Sequence, residues 1–507
     1  MEDRVLAGVR NWKPFRLLVV GDFMLDQSLT GNAERLSPDA PVPVLAVTDP
    51  LATVDTPGGA GNVAVFAAAL GGRVECVGVV GGDSDGSILR QALVDGGCGV
   101  ESLIVDPDRP TTTKRSLIGR AQHRHPQKMF RIDTESRAPL SAAIQAKVFD
   151  AISARLSSCD VVCIEDYNKG VCTDELCAKL IALCKAKKIP VLVDPASIND
   201  YSRYRGATAV TPNRSEAEKA TGRTVDPSAV VSDSKQLVSL LLKDLALEAA
   251  IVTLDKDGAV LEVFGSPAVH LPTVVRNVYD VAGAGDMVLA VLAGAVANKM
   301  PWPEAVTLAN IAAGMEVEIF GVRAFALTEI QASVIRLAHQ ALGKTRLRDD
   351  LLVEIAAHRA AGRRIVLTNG CFDVLHAGHV GYLREAKSLG DILVVGVNCD
   401  EQVRALKGND RPIYNESDRA ELLGELASVD YVTIFEEPTA VALLRSIVPD
   451  VYVKGGDYES KEITESAVVK ELGIKLSIVS QRPGLSTTSV VDRVRAQFVS
   501  GGNVKGA

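Results

Sequence analysis

Two histidines, His376 and His379, stand three residues apart with Gly378 between them. On the first turn of a helix both imidazoles can face one phosphate chain, and the glycine lets the backbone come close. Two such donors would meet the charge that builds on a phosphoryl group under attack. The pair also fits a metal site, which would want a third ligand and more often i,i+4 spacing, or two surface histidines. A second set runs Asp280-Val281-Ala282-Gly283-Ala284-Gly285-Asp286. Backbone N–H groups there can form an anion hole for a transferring γ-phosphate, with Asp286 at the same helix end to take the proton of an attacking alcohol. A methyltransferase loop would carry its glycines third, fifth and seventh, whereas here they fall fourth and sixth; a purely structural turn is the other reading. A third set is basic: Lys114, Arg115, Arg120, His123, Arg124, His125 and Lys128 lie between Arg109 and Arg131. A neutral sugar would not need them, a sugar already carrying a phosphate would, and a solvated basic loop is the alternative.

These residues need elements to hold them. The apolar run Ile365-Val366-Leu367 precedes the turn Thr368 to His379, and a helix-like segment follows from Val380 to Leu389. Strand, glycine turn and helix start together aim N–H groups and the helix dipole at an anion. Met287 to Ala297 is likewise a small-residue helix candidate after Asp286. Short β-branched runs at Leu17–Val20, Val191–Val193, Ile251–Leu254, Ile392–Val397 and Val451–Val453 alternate with amphipathic segments, which predicts α/β domains with mainly parallel sheets. The helix-like stretch Glu329 to Leu342 ends in Gly343-Lys344-Thr345-Arg346, so the domains are drawn at 1–342 and 343–507. Ala338 to Thr345 mimics a phosphate-binding P-loop, but a helix rather than a strand precedes it, and Gly343 reads as a C-terminal cap.

A chain of 507 residues, 47% hydrophobic and 23% charged, is too long for one ordinary domain. Met1 to Phe15 has no apolar core of signal-peptide length and Met287 to Ala297 is too short to span a bilayer, which reads as a cytoplasmic protein without a membrane partner. The 9 cysteines, none in a Cys-x-x-Cys pair, fit buried thiols in that compartment. A net charge of -8 argues against a nucleic-acid partner.

Thr368 to His379 resembles, nearly letter for letter, the signature of nucleotidyltransferases that join a nucleoside monophosphate to a phosphorylated small molecule. Gly58-Gly59-Ala60-Gly61-Asn62, Thr211-Pro212-Asn213-Arg214-Ser215-Glu216 and the Asp280–Asp286 loop, in that order, resemble a ribokinase-like sugar kinase. Over nearly the whole chain the sequence is similar to the bifunctional enzymes of bacterial heptose activation, a heptose 7-phosphate kinase fused to a heptose 1-phosphate adenylyltransferase. Arg35 to Pro43, Arg109 to Lys114, Arg131-Ile132-Asp133, Leu406-Lys407-Gly408, Arg411-Pro412-Ile413, Val453 to Tyr458 and Ser486-Thr487-Thr488 carry that resemblance. It implies a ribokinase-like domain followed by a smaller Rossmann-like nucleotidyltransferase domain. Asp286 would be the kinase base, with Gly283, Ala284 and Gly285 as its anion hole. Asn213, Arg214, Ser215 and Glu216 would position Mg-ATP, Glu216 acting on Mg²⁺ indirectly, and Thr253, Asp255, Gly258 and Asn310 would lie near the nucleotide. Asp26, Gly59, Asn62, Lys114 and Arg131 would bind the sugar phosphate. In the second domain His376, His379 and Lys407 would be catalytic, and Gly370, Phe372, Asp373, Lys454, Ser486, Thr487 and Thr488 would bind nucleotide. The partners implied are ATP, heptose phosphates and a second copy of the chain, joined through the kinase domain as a homodimer. The chain departs from the family at Ala196-Ser197, Gly321-Val322 and the insertion-like His123 to Pro126. Two other functions remain open: a kinase fused to a cytidylyltransferase that makes a CDP-linked polyol or sugar, and a sugar-phosphate sensor with a decayed kinase half.

Overall fold

A computed structural model describes residues 2–49, 53–120, 126–273, 278–339, 343–455 and 463–479. The chain divides into two compact units, Met1–Ile330 and Gln331–Ala507. The division falls inside the helix Leu327–Ala338.

In the first unit the strands are β1 (Phe15–Gly21), β2 (Phe23–Leu36), β3 (Pro43–Ala46), β4 (Thr53–Gly59), β5 (Gly72–Gly81), β6 (Leu103–Asp106) and β7 (Thr113–Arg120). They continue with β8 (Gln127–Thr134), β9 (Val161–Glu165), β10 (Val191–Asp194), β11 (Ala209–Val210), β12 (Ala249–Thr253), β13 (Ala259–Val263) and β14 (Val269–Leu271). Nine of them form one sheet in the order β14-β13-β12-β11-β10-β9-β1-β5-β6, parallel except at the β12-β13-β14 edge. The runs at Leu17 and Val191 lie wholly in its strands, and Ile251 to Thr253 does too, with Leu254 just past the end of β12. Leu18, Val20, Val162, Ile164 and Val193 project into one apolar core, while their neighbours Leu17, Val19, Val161 and Cys163 are buried as well. Burial on both faces is why these strands read as unbroken apolar runs rather than alternating ones.

A second sheet, β3-β2-β7-β8 with β4 also on β2, is mostly antiparallel. The parallel β2-β7 pair sets Asp26 beside Lys114. This smaller sheet is the antiparallel exception in a chain whose sheets are mainly parallel. β8 is exposed along almost its whole length, so it carries no run of core residues.

The second unit holds a parallel sheet of β15 (Ile365–Gly370), β16 (Ile392–Asn398), β17 (Tyr431–Phe435), β18 (Val451–Gly455) and β19 (Lys475–Val479), in the order β17-β16-β15-β18-β19. Ile365 and Leu367 enter one core cluster and Val366 the other, so β15 is sandwiched. The helix expected from Val380 begins at Ala377 and ends at Lys387, and that expected from Met287 begins at Ala284. Both start earlier because glycines and histidines with no apolar signal form the first turn. Lys344 donates to the Leu426 carbonyl at 2.9 Å and Thr345 bridges Val432, so the lysine and threonine of the P-loop look-alike are engaged in packing. All 9 cysteines are free, and only Cys371 is less than buried.

Candidate active sites

In the first unit, Gly283 caps the helix Ala284–Ala297 from the left-handed region at φ 81°. Asp286 follows on the first turn and is buried, 4% exposed. Its carboxylate is held from two sides: Asn62 Nδ2 donates to Oδ2 at 2.7 Å and the Tyr167 hydroxyl to Oδ1 at 3.0 Å. Burial pushes Asp286 up, opposed by those two bonds and by the Lys114 charge. A raised carboxylate at a helix N-terminus is a serviceable proton acceptor near neutral pH. Val322 packs against Gly283, where a Cβ would stand 3.2 Å from its Cγ1.

Glu165 and Asp194 end neighbouring strands β9 and β10, and with Asp286 they bring carboxylate oxygens within 4.8 Å of one another. Glu165 Oε2 is buried with no hydrogen-bond partner. Burial, then Asp194 and Asp286, push Glu165 well up. An orphaned buried carboxylate beside two more is a donor set that fits a hard divalent cation. Sequence reasoning missed Glu165 and Tyr167; the available signal was two acidic residues closing adjacent strands at the carboxyl edge of a parallel sheet.

Asp26 on β2 sits beside this cluster, its Oδ1 unpartnered. Burial raises it to about 6 against the pull of Lys114, with Asp286 adding to the rise. Gly58 leaves room for the Asp26 carboxylate, since a Cβ there would come 2.4 Å from Oδ2 and displace it. Gly59 caps the helix that carries Asn62, at φ 55°. Arg131, on the exposed β8, is paired with Asp133 at 2.8 Å. Ala196, one of the departures, is buried with its N–H on the Tyr204 hydroxyl at 3.2 Å.

Asn213 and Glu216 form a capping box at the helix Arg214–Thr221, each side chain accepting the other's backbone N–H, and Ser215 donates to Asn213 Oδ1 at 2.7 Å. Thr253 bridges Asn213. Asp255 and Gly258 frame a turn with φ 51° and 84°, and a Cβ on Gly258 would fall 2.3 Å from the Leu271 carbonyl. Asn310 donates to that same carbonyl at 3.0 Å. Asn213, Ser215, Glu216 and Thr253 are thus held by one another, and Gly258 and Asn310 meet at the Leu271 carbonyl.

In the second unit His376 is the N-cap of the helix Ala377–Lys387. Its ring stacks on His379, centroids 4.0 Å apart and planes 26° apart. Burial lowers the His376 pKa. Phe372, at φ 45°, sets its ring 5.5 Å from His379 and against Gly370. Lys454 on β18 is buried, its amine lowered first by burial, and donates to Asn369 Oδ1 at 2.9 Å with Glu465 at 3.6 Å. Lys407 ends the helix Asp400–Lys407, exposed, with its charge felt at Cys371. Asp373 accepts from Arg411 Nη1 at 2.5 Å and from the Ile413 N–H at 2.6 Å, which ties it to that loop. Arg419, fully buried and unflagged by any motif, ties Cys371, Asn398 and Tyr414 carbonyls to Asp400. Ser486, Thr487 and Thr488 lie outside the described residues, as do Gly456 to Tyr458 and His123 to His125.

Residues 15–329 match the model of the pfkB family of carbohydrate kinases, and residues 367–495 match a cytidylyltransferase-like model. The chain is 42% identical to the bifunctional protein HldE of Geobacter metallireducens, over 94% of this chain and 95% of that protein. It is 42% identical to the HldE of Pelobacter propionicus, over 95% and 96%. The chain belongs to the HldE family. It is a bifunctional transferase, with a carbohydrate kinase domain followed by a nucleotidyltransferase domain. Escherichia coli phosphofructokinase-2 in complex with potassium shares the kinase fold at TM-score 0.51, 18% identical, over 64% of this chain and 99% of that one. Its complex with fructose-6-phosphate aligns at TM-score 0.51 and 17% identity over the same shares. Among the described residues no helix is long and apolar enough to cross a membrane.

Proposed function

We propose that the kinase domain phosphorylates D-glycero-D-manno-heptose 7-phosphate at O1 and that the second domain adenylylates heptose 1-phosphate, giving ADP-heptose and pyrophosphate for lipopolysaccharide core. The observation that carries the reading is that one chain holds a buried, twice-tethered carboxylate at a helix N-terminus and, separately, a stacked histidine pair at another. In the first site Asp286 takes the O1 proton as that oxygen bonds to the γ-phosphorus and ADP leaves, while N–H groups from Gly283 to Gly285 receive the developing charge. Asp26, Gly59 and Asn62 hold sugar hydroxyls, and Lys114 with Arg131 meets the 7-phosphate. Asn213, Arg214, Ser215, Glu216, Thr253, Asp255, Gly258 and Asn310 bound the nucleotide. Magnesium arriving with ATP neutralises phosphate charge when bound; Glu165 and Asp194 would hold it, with Glu216 acting at one remove.

In the second site an oxygen of heptose 1-phosphate attacks the α-phosphorus of ATP and pyrophosphate leaves, with His376, His379 and Lys407 stabilising the charge and Gly370, Phe372 and Lys454 shaping the nucleotide site. Asp373, tied to the Arg411 loop, borders the nucleotide as well, and Ser486, Thr487 and Thr488 contact its phosphates. A homodimer through the kinase domain agrees with the exposed apolar side chains Leu36, Val54, Phe130 and Ile132 on the second sheet, and the setting is cytoplasmic. CTP in place of ATP is the second reading, favoured by the cytidylyltransferase-like match. Incubating the chain with ATP or CTP and a panel of sugar phosphates, with products weighed by mass spectrometry, separates the two: ADP-heptose from ATP alone supports the first, a CDP-linked product the second.

A further inference from the structure

Tyr167 lies in the turn after β9, outside every motif of the sequence, yet it touches three residues of the kinase site. Its hydroxyl donates to Asp286 Oδ1 at 3.0 Å. The Lys114 ammonium stands 4.6 Å from the centre of its ring. A Cβ on Gly59 would come 3.2 Å from its Cε2. The turn itself is fixed from beneath. The buried Asp22 carboxylate, between β1 and β2, accepts the N–H groups of Tyr167 at 2.9 Å, Lys169 at 3.0 Å and Val171 at 3.4 Å. Asn168 takes the left-handed conformation within it, at φ 57°. Three backbone donors converging on one buried carboxylate hold a short loop in one shape.

We propose that Tyr167 is a positioning residue of phosphoryl transfer, its hydroxyl fixing the plane of the Asp286 carboxylate and its ring face seating the Lys114 ammonium against the sugar phosphate. A carboxylate offers about four lone-pair positions. Asn62 occupies one on Oδ2 and Tyr167 one on Oδ1, so rotation about Cβ–Cγ is blocked and the remaining lone pairs keep a fixed direction toward the alcohol. Without the hydroxyl, Asn62 is a single hinge and the carboxylate swings. The neighbouring Asp286 charge and then burial push the Tyr167 phenol well up from its ordinary value, so the hydroxyl keeps its proton and remains a donor. The ring acts separately, because the face of an aromatic ring attracts an ammonium whether or not it carries a hydroxyl. The inference rests on the reading of Asp286 as the proton acceptor.

The test uses the full chain with Tyr167→Phe, Tyr167→Leu and Asp286→Asn, assayed for kinase turnover with D-glycero-D-manno-heptose 7-phosphate and ATP. Tyr167→Phe should lower kcat on the order of 10- to 100-fold, the worth of one hydrogen bond to a charged group, with KM for both substrates unchanged. Tyr167→Leu should lower kcat by a similar factor and also raise KM for the sugar phosphate roughly threefold or more, from the lost ring face. An unchanged KM for ATP reports that the kinase unit is folded in the two Tyr167 variants, and thermal unfolding matching wild type reports it for Asp286→Asn. A kcat for Tyr167→Phe within twofold of wild type, beside an inactive Asp286→Asn, overturns this inference and leaves the base in place. An active Asp286→Asn overturns the base and the inference with it.

Discussion

At the scale of single residues, the kinase site stores unfavourable charge. Asp26 has one oxygen without a partner and a pKa lifted to about 6 by burial, above its ordinary 3.8. The folded chain therefore binds this proton more tightly than the unfolded one. Asp26 contributes fully below about pH 4, and that contribution is lost as the pH rises through about 6. Asp26→Asn removes the ionisation, so the variant should gain on wild type by up to about 3 kcal/mol between pH 4 and 7, less what solvent screens, while losing sugar phosphorylation. Thermal unfolding of both proteins across that range reads the gap, and a gap independent of pH would contradict the account. In the second unit His376→Ala and His379→Ala should each slow pyrophosphate release by roughly 100-fold or more, by analogy with lost oxyanion donors. Kinase turnover in the same preparations should persist. Wild-type pyrophosphate release by the double variant would refute the assignment. The type and spacing of these histidines were legible in the chain, because the pair lies within one helical turn. Tyr167 was not, since its bond to Asp286 joins residues 119 apart in a turn with no pattern of its own.

At the scale of elements, both sites are built alike: a strand end or loop, a glycine turn, then a helix whose first N–H groups are unsatisfied. Gly283 shows why the turn needs glycine. At φ 81° a side chain is strained, and a Cβ would also press on Val322 at 3.2 and 3.3 Å. Gly283→Ala should cost the kinase unit about 1–2 kcal/mol and lower phosphorylation, with nucleotidyl transfer unchanged. A variant with wild-type kinase turnover would show that this backbone does not shape the anion hole. The parallel strands were readable because burial on both faces writes an unbroken apolar run, as at Ile365 to Leu367. The second sheet was not. Its β8 is exposed and its β2-β7 pairing joins Leu25 to Thr113, a long-range register that no local periodicity encodes.

At the scale of the whole molecule, two transfer chemistries share a chain, and neither removes a phosphate. The kinase adds a phosphoryl group and the nucleotidyltransferase uses one as nucleophile, so a 7-phosphate on the sugar stays there through both. The two glycine turns proposed to handle phosphate, Gly283 to Asp286 and Gly370 to His379, are both assigned to transfer. The most direct measurement gives the pure chain heptose 7-phosphate and ATP and follows products by mass. The account expects accumulation of heptose 1,7-bisphosphate, with ADP-heptose forming only after a phosphatase specific for the 7-phosphate is added. ADP-heptose made by the pure chain unaided, or efficient formation of ADP-heptose 7-phosphate, would contradict it.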